Sequence, residues 1–478
     1  MTETLRRIAI DPLSRVEGHG KVTLLLDDAG HVHEARLHIV EFRGFEAFIV
    51  GRPYWEVPVV VQRLCGICPV SHNLCAAKAL DAVVGAVPPP SAVKLRRLMH
   101  AGQLLQSHAL HFFHLASPDL LFGFDSDVAK RNLIGLVERH PDLAKKGVLL
   151  RKFGQQVLEA VYGKRIHGTG AIPGGVNRHL ALDARDAFVK QLPEVKAWAQ
   201  DAVALARELT LRNLERHQGF GAVPSALLSL VAADGALDLY DGGLRAKDAD
   251  GRVLFDGLDG SSYRQLIKEE VRPWSYMKFP YLAAMGPDAG WYKVGPLARL
   301  QVCDRLSTPL AEAARRELLA SAKGVIHAPL AFHWARMVEL LHCAEDIERL
   351  LADEALVMGE LVSTGERQRE GVGIIEAPRG TLIHHYEVGE DDLITRCNLI
   401  VSTTNNNQAM NEAIRSVARQ YLEGRSVTEG LLNHIEVAVR AFDPCLSCAT
   451  HAMGKMPLEV TLVDAQGEVV SVGRRGDA

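Results

Sequence analysis

Four of the eight cysteines fall into two Cys-x-x-Cys pairs, Cys65/Cys68 and Cys445/Cys448, near opposite ends of a 478-residue chain. Pro69 follows the first pair and suits the opening turn of a helix, so both sulfurs stand just ahead of a helix N-terminus. The positive end of a helix favours thiolate over thiol, and thiolate is the form that binds metal. Four thiolates suit zinc, an iron–sulfur cluster or another thiophilic metal. Structural zinc knuckles bring their pairs together across tens of residues, and a redox Cys-x-x-Cys needs one pair only. Closure from both ends of the chain points instead to a deeply buried metal centre. The remaining cysteines (Cys75, Cys303, Cys343 and Cys397) are isolated, as small buried hydrophobes usually are.

Such a centre needs a large scaffold. Hydrophobic residues make up 47% and charged residues 23% of the chain, with a net charge of -4. That composition excludes intrinsic disorder and leaves no basic excess for a nucleic-acid footprint. No apolar run approaches the ~18 residues that span a bilayer. Met1-Thr-Glu-Thr-Leu-Arg-Arg lacks the apolar core of a secretory leader, so the cytoplasm is the expected compartment. The pattern predicts an α+β chain, mainly helical: a β-rich N-terminal region (1–62), a helical core (63–232), a small hairpin insertion (233–262), a helical and mixed region (263–451) and a C-terminal extension (452–478). Val70, Leu74, Ala77, Leu80 and Val84 recur at helical spacing until Pro88-Pro-Pro stops them. His108, His111 and His114 lie on the next helix, where drift over six residues argues for packing around Asp119 rather than ligation. His167-Gly-Thr-Gly-Ala-Ile-Pro-Gly-Gly follows no clear strand and Pro173 interrupts it, so it is not read as a nucleotide fingerprint.

Arg63-x-Cys65-Gly-x-Cys68-x-x-x-His72, with Asp443-Pro-Cys445-x-x-Cys448-x-x-His451, resembles the large, catalytic subunit of nickel–iron hydrogenases. Further matching motifs are Asp11-Pro-x-x-Arg15-Val-Glu17-Gly-His19, Phe42-Arg43-Gly44-Phe45-Glu46 and Glu376-Ala-Pro378-Arg379-Gly380. The wording around them, including Trp274-Ser-Tyr-Met-Lys-Phe-Pro-Tyr281, is similar to the cytoplasmic, bidirectional NAD-reducing branch.

The resemblance implies a set of roles, together with the fold of that large subunit. Nickel is held by all four thiolates, and Cys68 and Cys448 also bridge to an iron carrying CO and cyanide. Dihydrogen is split heterolytically and reversibly, and Glu17 relays the proton. Glu46, His451 and the main-chain carbonyl of Asn398 are the expected magnesium ligands. Arg379 lies over the open face of the metals, held by Asp119 and Asp443. Ser402 donates to a cyanide, although Val401 stands where the family often has Pro, and His72 donates to a bridging sulfur.

The isolated cysteines cannot hold an iron–sulfur relay, so the resemblance implies partners that carry electrons. These are diaphorase subunits with FMN and NAD, together with a small iron–sulfur subunit. It also implies a maturation endopeptidase that cuts between His451 and Ala452, removing the 27 residues that follow. The alternatives are a hydrogenase feeding another acceptor, and a non-catalytic, metal-stabilised scaffold related to the quinone-site subunit of the respiratory NADH dehydrogenase. That scaffold subunit lacks the four cysteines.

Overall fold

A computed structural model describes residues 6–39, 41–450, 459–463 and 469–474. The chain opens with an antiparallel sheet of β1 (Arg6–Ile10), β2 (Gly20–Leu26) and β3 (Val32–Ile39), in the order β1-β2-β3. Strand character ends at Ile39, earlier than the expected boundary at 62. Residues 45–64 form short helical turns instead. Pro58 lacks the N–H that a strand ladder needs and fits a first helical turn, which is where it lies.

Long helices then build the core: α1 (Pro69–Val83), α2 (Pro90–Leu110), α3 (Pro141–Tyr162) and α4 (Leu182–Leu211). α1 begins at Pro69, as its sequence dictates, and nearly all of it is buried. α2 runs on through a π-turn over His111–Ala116. The wider turn shifts the helical phase, so the three histidines share no single face. His108 Nε2 pairs with Glu339 Oε2 at 2.8 Å, and His111 Nε2 donates to the Arg440 carbonyl at 2.7 Å while its ring stacks on His333. These ring nitrogens bond Glu339 and the Arg440 carbonyl rather than Asp119 itself, and Arg440 in turn binds Asp119.

The segment read as a small hairpin belongs to a larger unit. β4 (Ala226–Val231), β5 (Gly243–Lys247), β6 (Val253–Leu258) and β7 (Tyr292–Lys293) form one sheet in the order β7-β4-β5-β6. Two of its strands lie outside 233–262, and β4, apolar on both faces, is buried throughout. After α5 (Ala331–Leu351) comes the antiparallel meander β8 (Glu370–Ala377), β9 (Gly380–Val388) and β10 (Ile394–Ile400). α6 (Asn407–Tyr421) and α7 (Glu429–Ala441) follow, α7 capped by the Thr428 hydroxyl, which accepts from Leu431 N. The short α8 (Leu446–Ala449) is preceded by Cys445 and contains Cys448. β11 (Glu459–Val463) and β12 (Val469–Arg474) pair antiparallel, the hairpin expected in the tail.

α1 lies directly on the meander because Gly373 has no side chain. A Cβ there would stand 2.3 Å from the Cys75 carbonyl oxygen and 2.7 Å from Ala79 N. That close approach brings His72 on α1 against β9. Among the described residues no helix is long and apolar enough to cross a membrane.

Candidate metal centre

The two cysteine pairs meet in the interior. Cys65 and Cys68 precede α1, Cys445 precedes α8 and Cys448 lies within it. The Sγ–Sγ distance is 3.0 Å for Cys65–Cys445, 3.0 Å for Cys445–Cys448 and 3.8 Å for Cys68–Cys448. All four sulfurs lie within 4.8 Å of one another, and all four residues are buried. These separations are too long for a disulfide, whose sulfurs sit ~2.05 Å apart. Sulfurs ~2.3 Å from one metal stand about 3.8 Å from each other, so the donor set fits a thiophilic cation. Crowding splits the four thiols: contacts with the Cys445 and Cys448 sulfurs draw Cys68 down to about 6, whereas burial pushes Cys445 and Cys448 up.

Arg379 sits at the tip of a two-residue turn, Pro378-Arg379, closed by the Ala377–Gly380 pair of β8 and β9. Its Nε donates to the Asp443 carbonyl at 2.5 Å and its Nη2 to Asp443 Oδ1 at 3.0 Å. Burial opposes its charge, but Asp443 and the Cys445, Cys68 and Cys65 sulfurs outweigh that and hold its pKa well above the usual value. Glu376 anchors the turn from behind: it accepts from Leu230 N at 3.0 Å, Thr381 Oγ1 at 2.7 Å and Arg299 Nη1 at 3.0 Å. Arg379, Cys68, Cys445, Cys448, His72 and Ser402 line one small cavity. Two buried donors of residues lining that cavity, Arg379 Nη1 and Ser71 Oγ, have no hydrogen-bond partner among the described residues. An orphaned buried donor is costly, so the cavity suits a polar occupant beside the sulfurs.

Glu17 reaches the sulfurs from the N-terminal loop. The Cys445 thiol donates to Glu17 Oε2 at 2.9 Å, Ser447 N donates to the same oxygen at 3.2 Å, and the Ser447 hydroxyl donates to Oε1. Leu446 N bonds the Glu17 carbonyl at 2.9 Å, which pins the loop to α8. Gly18 permits the approach: at φ 81°, a Cβ there would meet Ser447 N at 2.7 Å.

Asp119 is not placed against Arg379, contrary to expectation. It accepts from Arg15 Nη2 and Arg440 Nη1 at 2.5 Å each and from Asn433 at 3.2 Å, with Arg131 3.5 Å away. A buried carboxylate among three guanidinium groups has its charge answered there. Through Arg15, two residues from Glu17, Asp119 holds the Glu17 loop. Ser402 also differs: its hydroxyl donates to the Gly380 carbonyl at 2.7 Å, so its one proton is directed at backbone.

Glu46 Oε1 accepts from Leu399 N at 2.7 Å and stands 3.4 Å from Lys278 Nζ. Lys278 also lies 3.3 Å from Glu269 and donates to Asn398 Oδ1 at 3.2 Å. Glu46 and Glu269 supply carboxylate oxygens, the donor type a hard cation takes. His451 lies outside the described residues. Sequence reasoning missed Ser71, Ser447, Thr403, whose Oγ1 accepts from Cys445 N at 2.9 Å, and His167, whose Nε2 donates to the Cys65 carbonyl at 3.1 Å. Ser447 lies inside the second Cys-x-x-Cys and was open to notice. His167 sits in the glycine-rich stretch weighed only for nucleotide binding.

Four buried thiolates gathered from both ends of an α+β chain, with an arginine over them and a carboxylate on one sulfur, define a thiolate-ligated redox-metal enzyme. The nickel-dependent hydrogenase family model matches residues 43–123 and 245–451, and a HoxL-like model matches residues 7–42. The chain belongs to the nickel-dependent hydrogenase family, whose catalytic centre holds nickel and iron. It is 47% identical to the NAD-reducing hydrogenase HoxS subunit beta of Cupriavidus necator, over 97% of this chain and 99% of that one. It is 39% identical to a polypeptide of the F420-non-reducing hydrogenase vhc of Methanococcus voltae, over 97% and 98%. Among solved structures, an NAD+-reducing [NiFe]-hydrogenase in the H2-reduced state superposes with a TM-score of 0.92 at 62% identity, covering 94% of this chain and all of that one. The [NiFeSe] hydrogenase of Desulfovibrio vulgaris Hildenborough superposes at 0.76 and 25% identity, with the same coverage.

Proposed function

We propose that this chain is the catalytic subunit of a cytoplasmic NAD-reducing hydrogenase, which cleaves dihydrogen reversibly and heterolytically. The observation that carries the proposal is the buried four-sulfur set with Glu17 on Cys445 and Arg379 over the cavity. Nickel on the four thiolates, with an iron beside it carrying CO and cyanide, supplies a redox-active centre open to dihydrogen. The chain's residues handle charge and protons around it. Glu17 Oε2, 2.9 Å from Cys445 Sγ, takes a proton released at that sulfur and returns it in the reverse direction. Arg379, which lines the cavity, supplies a fixed positive charge there. Asp443 holds Arg379 in place, and Asp119 holds the Glu17 loop. Ser402 and His72 line the cavity and would face a cyanide and a thiolate of the bound centre, respectively.

Magnesium belongs beside Glu46, with the Asn398 carbonyl and His451 as further ligands; the hard carboxylate oxygen of Glu46, bonded to Leu399 N next to Asn398, supports it. Electrons leave through a small iron–sulfur subunit, reaching NAD by way of diaphorase subunits that carry FMN. A maturation endopeptidase removes residues 452–478, a reading supported by a family match that ends at residue 451. The resemblance of residues 274–281 to the NAD-reducing branch and the 62% identity with an NAD+-reducing structure favour NAD as acceptor. The F420-non-reducing relative supports the second reading, another acceptor.

The purified complex under dihydrogen is expected to form NADH in proportion to dihydrogen consumed. Uptake coupled to another carrier, with no NADH formed, would overturn the acceptor assignment.

A further inference from the structure

Behind His72 runs a short, fully buried chain of polar side chains. His72 Nδ1 lies 3.1 Å from His384 Nε2, and His384 Nδ1 lies 2.7 Å from the Tyr386 hydroxyl. His384 and Tyr386 alternate on one face of β9, and His72 meets them from α1 across the close approach at Gly373. At 0–1% exposure, all three are shut off from bulk solvent. The two histidine rings stand 5.3 Å apart, and Tyr386 meets His384 edge-on at 83°.

Counting protons along this chain fixes its direction. A neutral imidazole carries one N–H, and a phenol donates one. Among the described residues the Tyr386 hydroxyl has a single acceptor, His384 Nδ1. Its pKa is held well above the ordinary phenol range, first by burial and then by the negative groups near it, so it stays a donor. Donation from Tyr386 puts the His384 proton on Nε2. That proton in turn points at His72 Nδ1, which leaves the His72 proton on Nε2, the nitrogen turned away from His384. His72 itself lines the cavity with Cys68 and Cys448.

We propose that Tyr386 is a positioning residue: acting through His384, it locks His72 as the Nε2–H tautomer and so presents a donor, rather than a lone pair, to the sulfur side of the cavity. This rests on the metal-centre assignment above. Without the phenol, His384 Nδ1 loses the donor that sets its tautomer, and His72 loses the polarity relayed through it. Outer partners of this kind change metal affinity or activity by about 10–100-fold when removed.

Two measurements on the holoenzyme test it, with nickel and iron content assayed separately so that failure of the metal assignment is distinguishable. Neutron diffraction from deuterated crystals is expected to place a deuteron on His72 Nε2 and the Tyr386 deuteron toward His384. A deuteron on His72 Nδ1 overturns the proposal without recourse to any variant. Tyr386→Phe, which removes one oxygen and keeps the ring, is expected to retain both metals, to shift the infrared bands of the metal-bound diatomic ligands, and to slow dihydrogen–deuterium exchange about tenfold. Unshifted bands with unchanged exchange in a metal-replete variant overturn it as well.

Discussion

Cys445→Ser is expected to reduce dihydrogen–deuterium exchange to background. Serine supplies a hard hydroxyl whose proton is not lost near neutral pH, where the site calls for a soft thiolate. Cys445 also has a second task. Its Sγ lies 3.0 Å from Cys65, 3.0 Å from Cys448 and 2.9 Å from Glu17 Oε2, so it joins the sulfur cluster to the proton acceptor. Both connections fail together. Cys75→Ser provides the comparison: its thiol donates to the Gly373 and Leu382 carbonyls, which a hydroxyl also serves, and it lies outside the cluster. Exchange is expected to survive there. Undiminished exchange in a metallated Cys445→Ser protein would refute the assignment of that sulfur.

Glu17→Gln should lower exchange and turnover by about 10²–10⁴-fold, the usual cost of removing a positioned acid–base group. The amide keeps an oxygen to accept from Ser447, so the loop stays docked and both metals are retained. What it loses is the ability to take a proton at the atom facing Cys445 Sγ. Glu17→Asp pulls the carboxylate back by one methylene and is expected to fall between the two. The readout is isotope exchange with metal content measured on the same sample. A metal-replete Glu17→Gln enzyme exchanging at the parental rate would move the proton route elsewhere.

What the sequence disclosed here was local. Pro69 announces the start of α1, and the two Cys-x-x-Cys pairs announce a buried thiolate metal site, the metal itself being supplied by the resemblance. The resemblance then added Glu17 and Arg379, and both come to the sulfurs. The partners of those residues were not legible. Asp119 is engaged by arginines on both sides of it in sequence, as far as 321 residues away, and only tertiary packing shows that Arg15 rather than Arg379 takes its charge. Ser447, Thr403 and the His384–Tyr386 pair act through hydrogen bonds whose other ends lie on separate elements. The π-turn after α2 left no signal in the periodicity, and it sets where His108 and His111 point. Residues 45–64 were misread because short β-branched runs suit strand and helix alike until proline decides.

The most direct test of the account is the metal inventory of the purified chain, read together with its infrared spectrum. The four-sulfur cavity with its unpaired Arg379 and Ser71 donors predicts nickel and iron in equal amounts, with bands from metal-bound CO and cyanide. Stoichiometric zinc without nickel, and a spectrum empty in that region, would contradict it.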